Sequence, residues 1–502
     1  MVIYQLFVRV FGATEKKKCG SLNDINDAVV KRLVELGVTH VWLTGVIRHS
    51  NYKDTNPLVT KGLAGSPYAI TDYYDIDPDI ADDKEQRMAE FESAVGRLHD
   101  AGLKVIIDFV PNHLAREYKS RCKPHSEPDF GENDNAGVAF SPDNNFYYCP
   151  GEPLQLPISS EGVHYHEFPA KASGNNVFSP SPSVNDWYDT VKLNYGIDFR
   201  DGSKHFDTVP DTWCKMLNVL KFWCSKNVDG FRVDMAEMVP VEFWQWVITE
   251  LKKHSKITMI AEIYQPDMYR TYLDAGFDFL YDKVGFYNTL ESIFRYGGSA
   301  SRITDIWKSL NGLDDKMLRF LENHDEVRIA SRHFMGDARN GFPYMALAAL
   351  MSRGPLMIYN GQEFGEKAEG ASGFSGDDGR TSIFDYVFMP SLQVENQENY
   401  KDIYLFYKNL LTFKQSHEAI RSGAFYDLMW ANPWYSNFDP QYVYAFIRYC
   451  KDERLLIVIN FNLHDVKDVR VTIPDDAVRL LGGCEGEYRV VVNPGEYKVV
   501  EI

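Results

Sequence analysis

The 502-residue chain has no long basic tract; its densest cation cluster is EKKKC at residues 15–19, set against a net charge of −18. A nucleic-acid binder needs a basic face to neutralise phosphates, so that class is excluded. No apolar run is long enough to cross a bilayer, and the acidic balance repels anionic surfaces, so no membrane partner is expected. Seven cysteines (Cys19, Cys122, Cys149, Cys214, Cys224, Cys450 and Cys484) are dispersed, with no metal-ligand spacing among them. Free thiols in a reducing compartment follow. The opening MVIYQLFVRVFG reads as a strand from its second residue rather than as a secretion signal. A cytoplasmic protein is therefore expected; a secreted or periplasmic one with its signal removed would read the same. There is no internal repeat and no low-complexity tract. A neutral substrate suits this balance.

What the chain does have is apolar residues at 44% and aromatics at 14%. That suffices for a large core and, at this length, for two or three domains. The rings serve either that core or a groove in which they stack on sugar faces.

Strand-like and helix-like segments alternate. Strands are expected at 2–8, 38–44, 103–110, 229–234, 256–264, 276–282, 316–325 and 354–363. Helical periodicity fills 21–37, 86–102, 208–227, 286–311, 341–353 and 399–417, and the stretch VEFWQWVITELKKH. Eight strand-then-helix units predict a parallel (β/α)8 barrel, the TIM-barrel fold. Residues 1–113 form its first part and 191–419 its second. The loop-rich stretch 114–190 is too long for a bare loop and predicts a small domain inserted after the third strand. Beyond 420 the pattern turns to short strands (YVYAFIRYC, RLLIVINFN, DVRVTIP, YRVVVNPGEYKVVEI), predicting a C-terminal antiparallel β-sandwich over 420–502.

Barrel chemistry sits at the C-terminal strand ends. The third strand ends in Asp108, followed by Asn112 and His113; the fourth in Arg232 and Asp234; the fifth in Glu262; the seventh in Asn323, His324 and Asp325. In GFRVDMAEM, Arg232 and Asp234 are two apart and so share a strand face. Carboxylates without a metal-ligand set point to glycoside chemistry, in which a nucleophile and an acid/base stand about 5–5.5 Å apart in retaining enzymes. Neighbouring strands place Asp234 and Glu262 near that separation. Arg232 is expected to keep Asp234 ionised, while apolar flanks in MIAEIY keep Glu262 protonated. Glu237 reads as a groove-wall or helix-start residue.

DFVPNH, GFRVDMAEM, AEIY and FLENHD resemble, in order and spacing, the four signature motifs of the α-amylase family of glycoside hydrolases. GVTHVWLT, GSPYAITDYYDID and GPLMIYNGQE resemble further segments of it, so the resemblance covers nearly the whole chain. It implies Asp234 as nucleophile, Glu262 as acid/base and Asp325 as transition-state stabiliser. It also implies that Tyr68, Asp108, His113, Arg232 and His324 shape the subsite for the reacting sugar, with Tyr68 as its stacking platform. The implied activity is hydrolysis of α-1,4-glucosidic bonds in starch, glycogen or maltooligosaccharides. The implied alternatives are an exo-acting α-glucosidase, a neopullulanase-like or transglycosylating enzyme on short α-glucans, and a non-catalytic carbohydrate-binding or transporter-associated protein.

The sequence also departs from the family. Where calcium-dependent members carry an aspartate ligand, TVKLNYG places Lys192; Asn112 matches a second ligand, and Met238 stands where a histidine is common. An ammonium cannot ligate a cation. The family's calcium site is therefore expected to be lost, with Lys192 standing in for the ion's charge, and no cofactor is expected. The acidic DFGENDNAG at 129–137 reads as solvated turns or as a separate calcium loop. Lys192-Leu193-Asn194 resembles the neopullulanase-like form of the motif. The segment 364–398, containing GFSGDDGRTSIFDY, is a candidate wall for one end of the site.

Overall fold

The computed structural model describes residues 1–370, 376–434 and 436–502. Eight parallel strands form the central sheet: β1 (Val2–Phe7), β2 (His40–Thr44), β3 (Lys104–Phe109), β4 (Gly230–Val233), β5 (Thr258–Ala261), β6 (Phe279–Tyr281), β7 (Met317–Leu318) and β8 (Leu356–Tyr359). Their order is β7-β6-β5-β4-β3-β2-β1-β8. A single bridge closes the ring: Arg319 N donates to Pro355 O at 3.0 Å, and Met357 N to Arg319 O at 2.9 Å. The expected (β/α)8 barrel is the observed one.

Alternation along the strands builds two apolar layers. Ile3, Trp42, Ile106, Ile260, Leu318 and Met357 fill the barrel interior as a cluster of their own. Their neighbours Val2, Tyr4, Val41, Val105 and Leu356 face outward and join the main core beneath the helices. Helices follow the apolar periodicity, as in Arg87–Asp100, which buries Phe91, Ala94, Val95 and Leu98. Two expected helices divide. The stretch 21–37 becomes a short turn and then Asp27–Glu35, because Asn26 caps the backbone of Ala28 and Val29. The stretch 286–311 becomes Asn288–Tyr296 and Arg302–Leu310, because Gly297 turns left-handed at φ 64° and ends the first.

The expected seventh strand, 316–325, is ladder only at Met317–Leu318. Beyond it Arg319 is buried and ion-paired, its Nε 3.1 Å from Asp282 Oδ2. Between β3 and β4 the chain runs mostly through turns, tied by the antiparallel pair His113–Ala115 with Thr190–Lys192. Buried Arg116 pins it further, donating to Glu167 Oε1 at 2.7 Å and Ser173 Oγ at 2.9 Å.

The C-terminal strands are β9 (Ala424–Asp427), β10 (Val443–Tyr449), β11 (Arg454–Asn460), β12 (Lys467–Thr472), β13 (Glu487–Val492) and β14 (Tyr497–Glu501). They form an antiparallel sheet β9-β10-β11-β14 and a ribbon β12-β13. The last expected strand splits in two because Asn493-Pro494-Gly495 turns the chain, with Gly495 at φ 65°. Arg448 joins this sheet to the barrel, its buried guanidinium donating to Met351 O at 2.8 Å and Gly423 O at 2.7 Å.

Candidate active site

Register brings the ionisable residues together. Val233 pairs with Ala261, so Asp234 and Glu262 follow at one level on adjacent strands. Glu262 N donates to Val233 O at 3.1 Å, and Asp234 N to Phe109 O at 2.9 Å, fixing both backbones. A cavity of about 490 Å³ opens above them. Asp234, Glu262, Asp325, Tyr68 and His113 line it. Asp108, Arg232 and His324 lie behind this lining, at 5%, 0% and 1% exposure.

Arg232 organises the floor. Its Nη1 donates to Asp234 Oδ1 at 2.9 Å and reaches Asp108 Oδ1 at 3.4 Å; its Nε donates to Tyr281 OH at 3.0 Å. Its Nη2 stands 2.9 Å from Glu262 Oε1, as an ion pair off the N–H direction. The arginine thus serves both carboxylates, which corrects the expectation that it would favour Asp234 alone. Burial, and then the charge of Glu262, push the Asp234 carboxyl well above the usual range against the pull of Arg232. Nor is Glu262 in an apolar pocket: Tyr264 OH donates to its Oε1, and Met235 N to its Oε2 at 2.9 Å.

Asp325 differs. Burial raises its carboxyl, but His324 beside it and Arg232 outweigh that and hold it below the usual range. His324 Nε2 is 3.0 Å from Asp325 Oδ2 and also touches Tyr68 OH, while its Nδ1 is 2.8 Å from Gln5 Nε2. The Tyr68 ring stacks on the His324 ring at 5.2 Å between centroids. Trp42 Nε1 donates to Asp108 Oδ2 at 2.9 Å.

Lys192 Nζ donates to Asn112 Oδ1 and, at 2.9 Å, to Met238 O. These are the side chain and the carbonyl that the resemblance marks as ion ligands. The bond to Lys192 orients the Asn112 amide, so its Nδ2 donates to His113 Nδ1 at 3.0 Å. That leaves the His113 proton on Nε2, and the ring also bonds to the backbone of Tyr68. Burial, then the charges of Lys192 and Lys61, lower His113 to about 3, so the ring is neutral. Burial alone lowers Lys192 to about 7. In the 129–137 stretch the acids bind backbone: Asp134 accepts from Asn145 N at 2.7 Å and Phe146 N at 3.0 Å, and Asp129 from Ser120 N at 2.9 Å. All seven cysteines are free, and among the described residues no helix is long and apolar enough to cross a membrane.

Sequence reasoning missed Tyr264, Met235, Trp187 and Lys61 as lining residues. Only Tyr264 left a signal, two residues beyond Glu262. Glu237 sits in the middle of the turn Ala236–Met238, accepts from Tyr264 N at 2.9 Å and lines a neighbouring cavity of about 270 Å³. Of the segment 364–398, Ile383 and Phe384 reach the cavity; residues 371–375, part of GFSGDDGRTSIFDY, lie outside the described residues.

Comparison with known proteins agrees with this fold. The family model "Alpha amylase, catalytic domain" matches residues 5–402. Alpha-amylase 3 of Dictyoglomus thermophilum is 23% identical over 493 residues, covering 92% of this chain and 84% of that protein. The amino acid transporter heavy chain SLC3A1 of Rattus norvegicus is 24% identical over 294 residues, covering 57% of this chain and 35% of that protein. Among solved structures, the cyclic α-maltosyl-(1→6)-maltose hydrolase of Arthrobacter globiformis superposes with a TM-score of 0.68 at 18% identity, over 100% of this chain and 98% of that one; this likeness concerns the fold.

Proposed function

Since this chain belongs to the α-amylase family of glycoside hydrolases, we propose that it cleaves α-glucosidic bonds of α-glucans with retention, α-1,4 linkages foremost. The observation that carries this reading is the pair Asp234 and Glu262, set at one level on adjacent strands and bridged by one guanidinium. Strands about 4.7–4.9 Å apart give the spacing of a retaining pair.

In this reading Glu262 protonates the glycosidic oxygen and Asp234 attacks the anomeric carbon. The C–O bond to the leaving sugar breaks and an Asp234–glycosyl ester forms. Water, deprotonated by Glu262, then opens the ester. Arg232, within reach of both acids, stabilises the Asp234 carboxylate while Glu262 carries the proton. Asp325, held anionic, binds hydroxyls of the distorted ring more strongly in the transition state. Tyr68 offers its face, and neutral His113 lines the subsite beside it. Asp108, Arg232 and His324 act from behind, by orienting these groups. The transporter-associated alternative finds no support in a cavity that retains all three carboxylates.

Asp234→Asn and Glu262→Gln are each expected to fold normally and to lower kcat by several orders of magnitude. The first-formed sugar should appear as the α-anomer by NMR. Inversion, or near-normal turnover in Glu262→Gln, overturns the assignment.

We further propose that this chain holds no calcium at the family's site, because its donors do not fit an ion. Asn112 Oδ1 and Met238 O already accept from Lys192 Nζ, which fills the space with N–H donors and brings no ligand oxygen. Chelation with EDTA is then expected to leave both Tm and activity unchanged; a fall in Tm on chelation contradicts it.

A further inference from the structure

The cavity is not symmetric about the two carboxylates. Glu262 follows β5, and the strand opposite it in the ring is β1, four places away in either direction. At the end of β1 sits Arg9, 3% exposed. Its Nη1 donates to Ala64 O at 2.8 Å and its Nη2 to Ile383 O. One buried guanidinium therefore holds two loops, one after β2 and one after β8.

The loops also bind each other. Ala64 N donates to Phe384 O at 2.9 Å, and Leu63 N to Asp385 Oδ1 at 3.0 Å. The contact is close enough that a Cβ on Gly62, at φ 66°, would lie 2.3 Å from Phe384 O. The loop after β2 is anchored again on the inserted segment, by Lys61 Nζ at 3.2 Å from Asp189 Oδ1 and by Asn56 Nδ2 donating to His164 O at 2.7 Å. Lys61, Ser66, Ile383 and Phe384 from this tie face the cavity. On the Glu262 side the ties of Tyr264 N to Glu237 Oε2 at 2.9 Å and of Lys283 Nζ to Glu326 Oε1 at 2.7 Å stand back from the cavity, whose lining includes none of Glu237, Lys283 and Glu326. There Tyr264 leads by its backbone to Glu237 and so to the cavity of about 270 Å³.

The acid protonates the leaving oxygen, so the leaving sugar lies on the side of Glu262 and the transferred glycosyl unit points toward Arg9. In an α-glucan the transferred unit carries the non-reducing end. We propose that the loop tie of residues 61–64 with 383–385 walls off the glycosyl end of the cavity, so that this enzyme removes short units from non-reducing chain ends and does not cut within chains. The proposal rests on the assignment of Glu262 as the acid. A volume of about 490 Å³ agrees with it: sites that enclose a small molecule span about 300–1,000 Å³.

The test compares two p-nitrophenyl maltoheptaosides, one with a free non-reducing end and one blocked there by an ethylidene group. A wall turns the blocked end into a clash. Hydrolysis of the free substrate with kcat/KM at least about tenfold above the blocked one, and little fall in the viscosity of soluble starch, is the expected result. Equal rates on both substrates overturn the wall and leave the hydrolase assignment standing. Hydrolysis of neither overturns the assignment of Glu262, and the wall with it. Phe384→Ala, which trims the wall without touching the carboxylates, is expected to narrow the discrimination; unchanged discrimination with the free substrate still cleaved counts against the wall.

Discussion

Met235, directly after Asp234, adopts φ 46° and ψ 42°, a left-handed conformation costly for a side chain of this kind. The strain has a use: the turn aims Met235 N–H at Glu262 Oε2. Together with Tyr264 OH, it holds the acid/base from two sides. Tyr264→Phe removes one of these donors and keeps the ring. A lost hydrogen bond to a charged group is worth about 1.5–3 kcal/mol, so kcat is expected to fall about tenfold or more with little change in Tm; an unchanged kcat by steady-state kinetics removes Tyr264 from the positioning of Glu262. At this scale the sequence was informative where a side chain sits on a strand end. Asp108, Arg232, Asp234 and Glu262 could be placed because strand alternation dictates their direction. It misled on the sharing of Arg232, because which carboxylate a guanidinium meets depends on register between strands. Lys61 was invisible, since loop paths leave no periodicity, and Phe384 was legible only as part of the segment 364–398.

At the scale of elements, the expected helix 286–311 failed at Gly297, where the chain needs a positive φ. A Cβ there meets nothing within 4 Å, so the cost of substitution is conformational alone. Gly297→Ala is expected to lower stability by about 1–2 kcal/mol, read as a fall of a few degrees in Tm, with kcat/KM unchanged. No change in Tm would show that the helix end relaxes freely. The apolar strands were legible because each runs as a compact buried stretch between turn signals. Each was overread at one end or both, and the seventh most. Arg319 looks from sequence like one more strand residue; its burial against Asp282 belongs to tertiary structure.

For the whole molecule, buried histidine makes acid a hazard. His113 titrates near 3 when folded and near about 6.5 when unfolded. At pH 5 the unfolded chain binds this proton and the folded one does not. The contribution is therefore complete above about 6.5 and is lost as pH falls toward 3, at up to about 1.4 kcal/mol per unit. His49, also lowered by burial, acts in the same direction; Asp234, raised, acts against it. The clean measurement is a difference: Tm between pH 7.5 and 5 should drop less in His113→Gln than in the parent, and an equal drop refutes the account. The barrel's ladder is also uneven around its circumference. Seven of its eight joints are strand pairings, and the eighth, between β7 and β8, is the bridge at Arg319. Asp325 hangs just beyond that joint. Its placement depends on side chains: Asn323 Oδ1 accepts from its amide at 2.8 Å, and His324 lies against its carboxylate. The carboxylates on β4 and β5 are set by strand register, whereas this one is set by two side chains, so a change at Asn323 or His324 displaces Asp325 and leaves the other two where they stand.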